Sequence, residues 1–175
     1  RVFADDQGAN PLPMWSEHFE IIRGYTQHVQ SADAAPAAVL LRSNAAKKPL
    51  ATFLELAGAL PGYCEDTLRK KLQLLAVIME HRPERFLRVS DPEHYRPIID
   101  YHLQRSALRT GLVRVEDEGL RRKLLDRRVV TPEEERAVRT ATFEAVARLV
   151  EASGLSVAAI DYFFFTNRRR CPEMS

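Results

Sequence analysis

Apolar positions recur at intervals of three and four along most of this chain, and proline, glycine and small polar residues separate the stretches that carry the spacing. Phe19, Ile22, Thr26 and Val29 follow Ser16 and Glu17, which predicts a helix over about 17–30 with Ser16 as its cap. SADAAPAA at 31–38 interrupts it. Residues 37–60 form a second apolar stretch, where Leu50, Phe53, Leu54 and Ala57 predict a helix from Pro49 with Gly58 near its end. Asp66 and Thr67 are good cap residues, and Leu68, Leu72, Leu75, Ile78 and Met79 beyond them mark an amphipathic helix that stops at the HRP of 81–83.

The second half reads the same way. A polar segment with Pro83, Pro92 and Pro97 leads to a helix from about Asp100 to Thr110, closed by Gly111, and a short basic helix is expected around 117–127. TPEE at 131–134 places a threonine cap, a proline at the first helical position and a glutamate three residues past the cap, so a long helix runs to about Ala152. Gly154 ends it, Ser156 caps the next, and Val157, Ile160, Phe163 and Phe164 supply that helix with an apolar face. Sustained period-two alternation is absent, so the pattern predicts an all-α fold.

Composition narrows the class. A chain of 175 residues, 45% hydrophobic and 29% charged, is long enough for one substantial core, and a single domain over 1–175 is expected with an N-terminal arm at 1–15. No apolar run approaches the roughly 20 residues of a membrane span, and the opening RVFADDQGANPLP has no apolar stretch of signal-peptide type. A cytoplasmic monomer without a membrane partner is the expectation. The chain opens on Arg1 rather than Met, which reads as a fragment or a processed form. Two cysteines, Cys64 and Cys171, exclude a disulfide framework, and 26 basic against 24 acidic residues fall short of the excess that announces a nucleic-acid binder.

Two stretches bring candidate chemistry. LPGYCEDT at 60–67 resembles the hairpin of the helix-hairpin-helix DNA glycosylase superfamily, which reads L-P-G-V-G-x-x-T. IIDYHLQRSALRTGLV at 98–113 is similar to that superfamily's V-D-T-H-V-x-R-V-x-x-R-x-G-L segment, with Asp100, His102, Arg105, Arg109, Gly111 and Leu112 in register. A third stretch, FFFTNRRRC at 163–171, resembles the segment before the first cysteine of the iron–sulfur loop in endonuclease III relatives. The queuosine-salvage nucleosidases, whose fold is related, share a similar Asp-Tyr segment.

The resemblance implies an orthogonal helical bundle with its hairpin and catalytic aspartate inside 60–113, and hydrolysis of a base–sugar bond in DNA or in a modified nucleoside. It makes Asp100 the catalytic carboxylate, which stabilises charge developing on the sugar and orients the attacking water. The same residue is also a simple N-cap for the helix after it, and the two roles are compatible. The resemblance further assigns nucleic-acid and phosphate contacts to Pro61, Gly62, Cys64, Thr67, Lys70, His102 and Arg105. Cys171 becomes the first ligand of a 4Fe–4S cluster in the full-length protein, with its other ligands absent from this chain. Residues 167–175 are then the start of a truncated cysteine loop.

This sequence departs from the family in two respects. Cys64 replaces the second glycine of the hairpin, and Glu65 and Asp66 bring negative charge to the place a phosphate approaches. Asp66 also stands where bifunctional relatives carry a Schiff-base lysine, so hydrolysis without strand cleavage is expected. A catalytically silent nucleic-acid-binding module is the alternative. Trp15, Tyr25, Tyr63 and Tyr101 are candidate base-stacking residues, and the pairs and triplets Lys47-Lys48, Arg69-Lys70-Lys71, Arg121-Arg122-Lys123, Arg127-Arg128 and Arg168-Arg169-Arg170 are candidate phosphate contacts or solvated surface. His18, His28, His94 and His102 lack metal-ligand spacing.

Overall fold

In the computed structural model, which describes residues 14–31 and 35–168, the helices of the second half begin where capping residues stand in the chain. The described residues form eight α-helices and one 3-10 turn, with no strand among them. The helices are α1 (Trp15–Ser31), α2 (Pro36–Ala45), α3 (Pro49–Gly58), α4 (Lys70–His81), α5 (Tyr101–Thr110), α6 (Glu118–Leu125), α7 (Pro132–Ser153) and α8 (Val157–Asn167), and Pro92–His94 make the 3-10 turn. The protein is all-α. Among the described residues, no single helix is long and apolar enough to cross a membrane.

Backbone contacts divide the chain into two compact units. The first holds the described residues up to Leu72 together with Met79–Asp91, and the second holds Gln73–Ile78 and the described residues from Pro92 onward.

In the first unit α2 packs on α3, each opened by a proline at its first turn, where a missing N–H costs nothing. Val39, Leu50, Phe53, Leu54, Ala57, Leu60, Leu72 and Leu87 are its buried apolar side chains, each worth up to about 3 kcal/mol when removed from water. Two polar side chains tie the 86–91 segment to the helices. Asn44 acts as a substitute peptide, its Nδ2 donating to the Phe86 carbonyl and its Oδ1 accepting from the Arg88 amide, both at 2.8 Å. Asp91, 4% exposed, accepts from the amides of Leu50 at 2.8 Å and Ala51 at 3.0 Å. It thereby caps α3, whose own flanking residue, Lys48, supplies no side-chain cap.

The second unit is built on α5, which packs against α7 and α8. Ile99, Leu103, Val146 and Ile160 form its buried cluster, with Leu112, Phe143, Leu149, Val150 and Phe164 packed around them. The TPEE capping box is complete: the Glu134 amide donates to Thr131 Oγ1 at 3.2 Å and the Thr131 amide to Glu134 at 2.8 Å. Gly154 closes α7 at φ 67°, and Ser156 caps α8 through the Ala159 amide. Lys123 Nζ reaches Glu134 at 2.7 Å and so ties α6 to the start of α7.

Three expectations change. Residues 37–60 hold two helices rather than one from Pro49, because Pro36 starts a helix of its own that ends before the 46–48 bend. Ser16 lies inside α1 and donates to the Glu17 carboxylate instead of capping. Helix α4 begins at Lys70, two residues after Leu68, and its buried positions are Leu72, Gln73 and Ala76, whereas Ile78 is 44% exposed.

Candidate functional site

Asp100 sits where the α5 helix begins, its backbone extended at φ −110° and its Oδ1 accepting from the Leu103 amide at 2.9 Å. This is N-cap geometry, and Gly111 at φ 73° closes the other end of the helix. The Asp100 side chain is half-buried. Within the same turn the Tyr101 and His102 rings lie against each other, centroids 3.9 Å apart and planes tilted by 36°, and His102 Nδ1 lies 3.2 Å from Arg105 Nη2. The Arg105 guanidinium stands 5.7 Å from the centre of the Tyr101 ring. Of the sequence-derived candidates, α5 therefore brings together Asp100, Tyr101, His102 and Arg105.

The 60–67 hairpin, in the first unit, is a tight turn held by its own backbone, with the amides of Tyr63 and Cys64 both donating to the Leu60 carbonyl at 3.1 Å. Gly62 takes the left-handed conformation at φ 88°, and the position a Cβ would occupy there lies 3.0 Å from Ile21 of α1. Pro61 packs against Gly24 of the same helix. Cys64 is not among the positive-φ residues, so its replacement of glycine carries no left-handed strain. The amide that the resemblance aims at a phosphate is engaged internally: Gly62 N–H donates to both oxygens of Glu65, at 3.2 and 2.9 Å. Hydrogen bonds from its own amide and from Gly62 hold the Glu65 carboxyl below its ordinary range. Desolvation and the adjoining Glu65 push the Cys64 thiol up, away from thiolate reactivity. Asp66 accepts from the amides of Leu68 at 3.1 Å and Lys70 at 2.8 Å, so it caps α4; Thr67 is exposed and Lys70 opens the helix.

A broad concavity of the second unit lies elsewhere on α5. A cleft of about 1110 Å³ is lined by α5, the 111–116 segment, α6, Arg127, Val130 and the first turns of α7. Arg105, Arg109, Arg114, Arg121 and Arg127 face it, against Glu116, Glu118 and Glu135. Two of the three glutamates are engaged, Glu118 with Arg121 at 3.3 Å and Glu135 accepting from Gln104 Nε2 at 3.0 Å. Arg114 and Arg127 have no carboxylate partner among the described residues, and Arg127 holds a left-handed φ of 55°. Arg105 Nε is shielded from solvent and has no hydrogen-bond partner among the described residues. Tyr101 lines the cleft, and Asp100 does not.

Periodicity could not find this site, because Arg114 and Arg127 follow the ends of α5 and α6 in irregular backbone. Of the basic pairs and triplets noted in the sequence, Arg121 and Arg127 alone among the described residues line the cleft, beside Arg105 and Arg109 of the α5 segment. The other candidate stackers are otherwise placed: Trp15 lies 6.1 Å from Phe19, and burial beside Tyr25 pushes the Tyr63 hydroxyl up.

Cys171, with the rest of the 169–175 segment, lies outside the described residues. The residues present do not fit a four-thiolate cluster, since Cys64 is the chain's only other cysteine and sits exposed in the hairpin of the first unit. Among the described residues no group of three or more His, Cys, Asp or Glu side chains is arranged to hold a metal ion. Set against known proteins, the chain matches no protein-family model, no curated protein and no solved structure.

Proposed function

We propose that this chain is a helical binding module for a phosphate-bearing ligand of the nucleic-acid class, held in the arginine-lined cleft of its second unit. The observation that carries this reading is the set of five cleft arginines, two of them without a carboxylate partner among the described residues, beside an exposed tyrosine. Guanidinium groups suit phosphate because they present several donors in a rigid fork, and a cleft wall raises their effect by displacing water. The finer fold reading, a bundle of the helix-hairpin-helix glycosylase type, accompanies this proposal and rests on the sequence stretches at 60–67 and 98–113.

A second reading keeps the chemistry that the same stretches imply: a monofunctional N-glycosidase acting on a base–sugar bond in DNA, or on a modified nucleoside in the manner of queuosine salvage. One feature favours it. Asp100 is half-buried, its Oδ2 has no hydrogen-bond partner among the described residues, and its neighbour Tyr101 is on the cleft wall. Against it, Oδ1 is engaged in the helix cap and the carboxylate is not on that wall. The binding reading is preferred for this reason.

Titrating the protein against a fluorescently labelled single-stranded oligonucleotide tests the first reading. Wild type should bind, and the Arg114→Gln/Arg127→Gln pair should weaken binding by about tenfold or more, as loss of two phosphate contacts requires. Equal affinity of the pair and wild type would move the function out of the cleft. Base release by wild type that Asp100→Asn abolishes would establish the second reading.

A further inference from the structure

We infer that the cleft takes a nucleoside phosphate whose base is unpaired, supplied either as a free nucleotide or as an unpaired strand, with the base stacked on Tyr101 and the phosphate on the cleft arginines. The inference rests on the binding reading above and names its ligand.

Three observations carry it. First, the cleft is amphipathic: Leu108, Val113, Leu124 and Val138 line it together with the arginines. A groove that only follows a sugar–phosphate backbone has no use for an apolar wall, whereas a ligand with an aromatic body and an anionic end needs both. Second, Tyr101 is 66% exposed although it is aromatic, and His102 and Arg105 adjoin its ring at 3.9 Å and 5.7 Å. An exposed aromatic ring at the edge of a basic cleft is a stacking platform, because every base offers it a π-face. Third, Glu116, Glu118 and Glu135 share the lining. They oppose a continuous run of phosphates more than a single one, which disfavours a long duplex. A duplex also keeps its bases stacked on one another and offers none to Tyr101 without the cost of extrusion.

The experiment measures binding of the full chain to four probes: adenosine 5′-monophosphate, a thymidine decanucleotide, a duplex of the same length, and inorganic phosphate. Wild type should bind the nucleotide and the single strand, and the duplex about tenfold more weakly or worse. Tyr101→Leu should lose about tenfold toward both unpaired probes, at the low end of a base–aromatic stack, with inorganic phosphate unaffected. Tyr101→Phe should retain wild-type affinity. A nucleotide bound as tightly as the strand identifies a free-nucleotide site, and a strand bound far more tightly identifies an unpaired-strand site; either supports the inference. Duplex binding as tight as single-strand binding, or a harmless Tyr101→Leu, overturns it. If Tyr101→Leu is harmless while Arg114→Gln/Arg127→Gln still weakens binding, the stacking inference falls and the cleft reading stands. If neither variant matters, both fall.

Discussion

A carboxylate beside the first turn of a helix either satisfies backbone N–H groups or waits for a ligand, and two aspartates of this chain show the range between these roles. Asp91 is buried and takes two amides of α3, while Asp100 is half-buried and takes one amide of α5. Truncating Asp91 leaves buried donors without an acceptor, so Asp91→Ala should cost about 2–3 kcal/mol in urea unfolding. Asp100→Ala should cost about 1 kcal/mol, and Asp100→Asn, still a good cap, well under that. A cost for Asp100→Ala equal to that for Asp91→Ala would contradict the ranking. Glu65 adds a pH dependence at the hairpin. Because folding lowers its pKa, its contribution is intact above the ordinary carboxylate value and is lost as pH falls through the lowered one. The Gly62 amide resonance, followed by NMR, should shift with a midpoint below that of an unstructured glutamate peptide; a midpoint at the peptide value would mean the contact is not made in solution.

The elements themselves are governed by local chemistry. The α7 helix carries its start and stop signals within its own sequence, from the Thr131–Glu134 box to Gly154. A Cβ at Gly154 would meet nothing within 4 Å, so Gly154→Ala isolates the backbone term. It should lower stability by about 1–2 kcal/mol in thermal or urea unfolding, the cost of holding an alanine left-handed, and a neutral result would show that the turn relaxes. The caps at Asp66, Asp100, Thr131 and Ser156 and the glycines at 111 and 154 were legible in the sequence for this reason, since each acts over a few residues. What could not be read was set from a distance. The α3 helix is capped by Asp91 from 41 residues away, and the α4 stripe shifts because tertiary packing buries Gln73, which accepts from the Arg96 amide, and leaves Ile78 exposed.

Over the whole molecule, a net charge of +2 gives no general attraction for a polyanion, so recognition depends on where arginines converge. The candidate site was half legible: His102 and Arg105 stood out through their register with a known segment and Tyr101 as a candidate stacker, while the fold is what brings Arg114 and Arg127 to them. The plot of log affinity against log salt for a single strand should become shallower by about 1–1.5 in slope in Arg114→Gln/Arg127→Gln, near the 0.7 expected per lost contact to an unpaired strand. An unchanged slope would mean that these arginines touch no phosphate.

Backbone amide shifts, mapped in the isotope-labelled protein as adenosine 5′-monophosphate is added, locate the ligand either in the arginine cleft of unit two or elsewhere. Perturbations should gather at 101–127 and in the first turns of α7, with the 60–67 turn silent. Shifts centred on Gly62 and its neighbours, with the cleft unmoved, would contradict a site in the cleft.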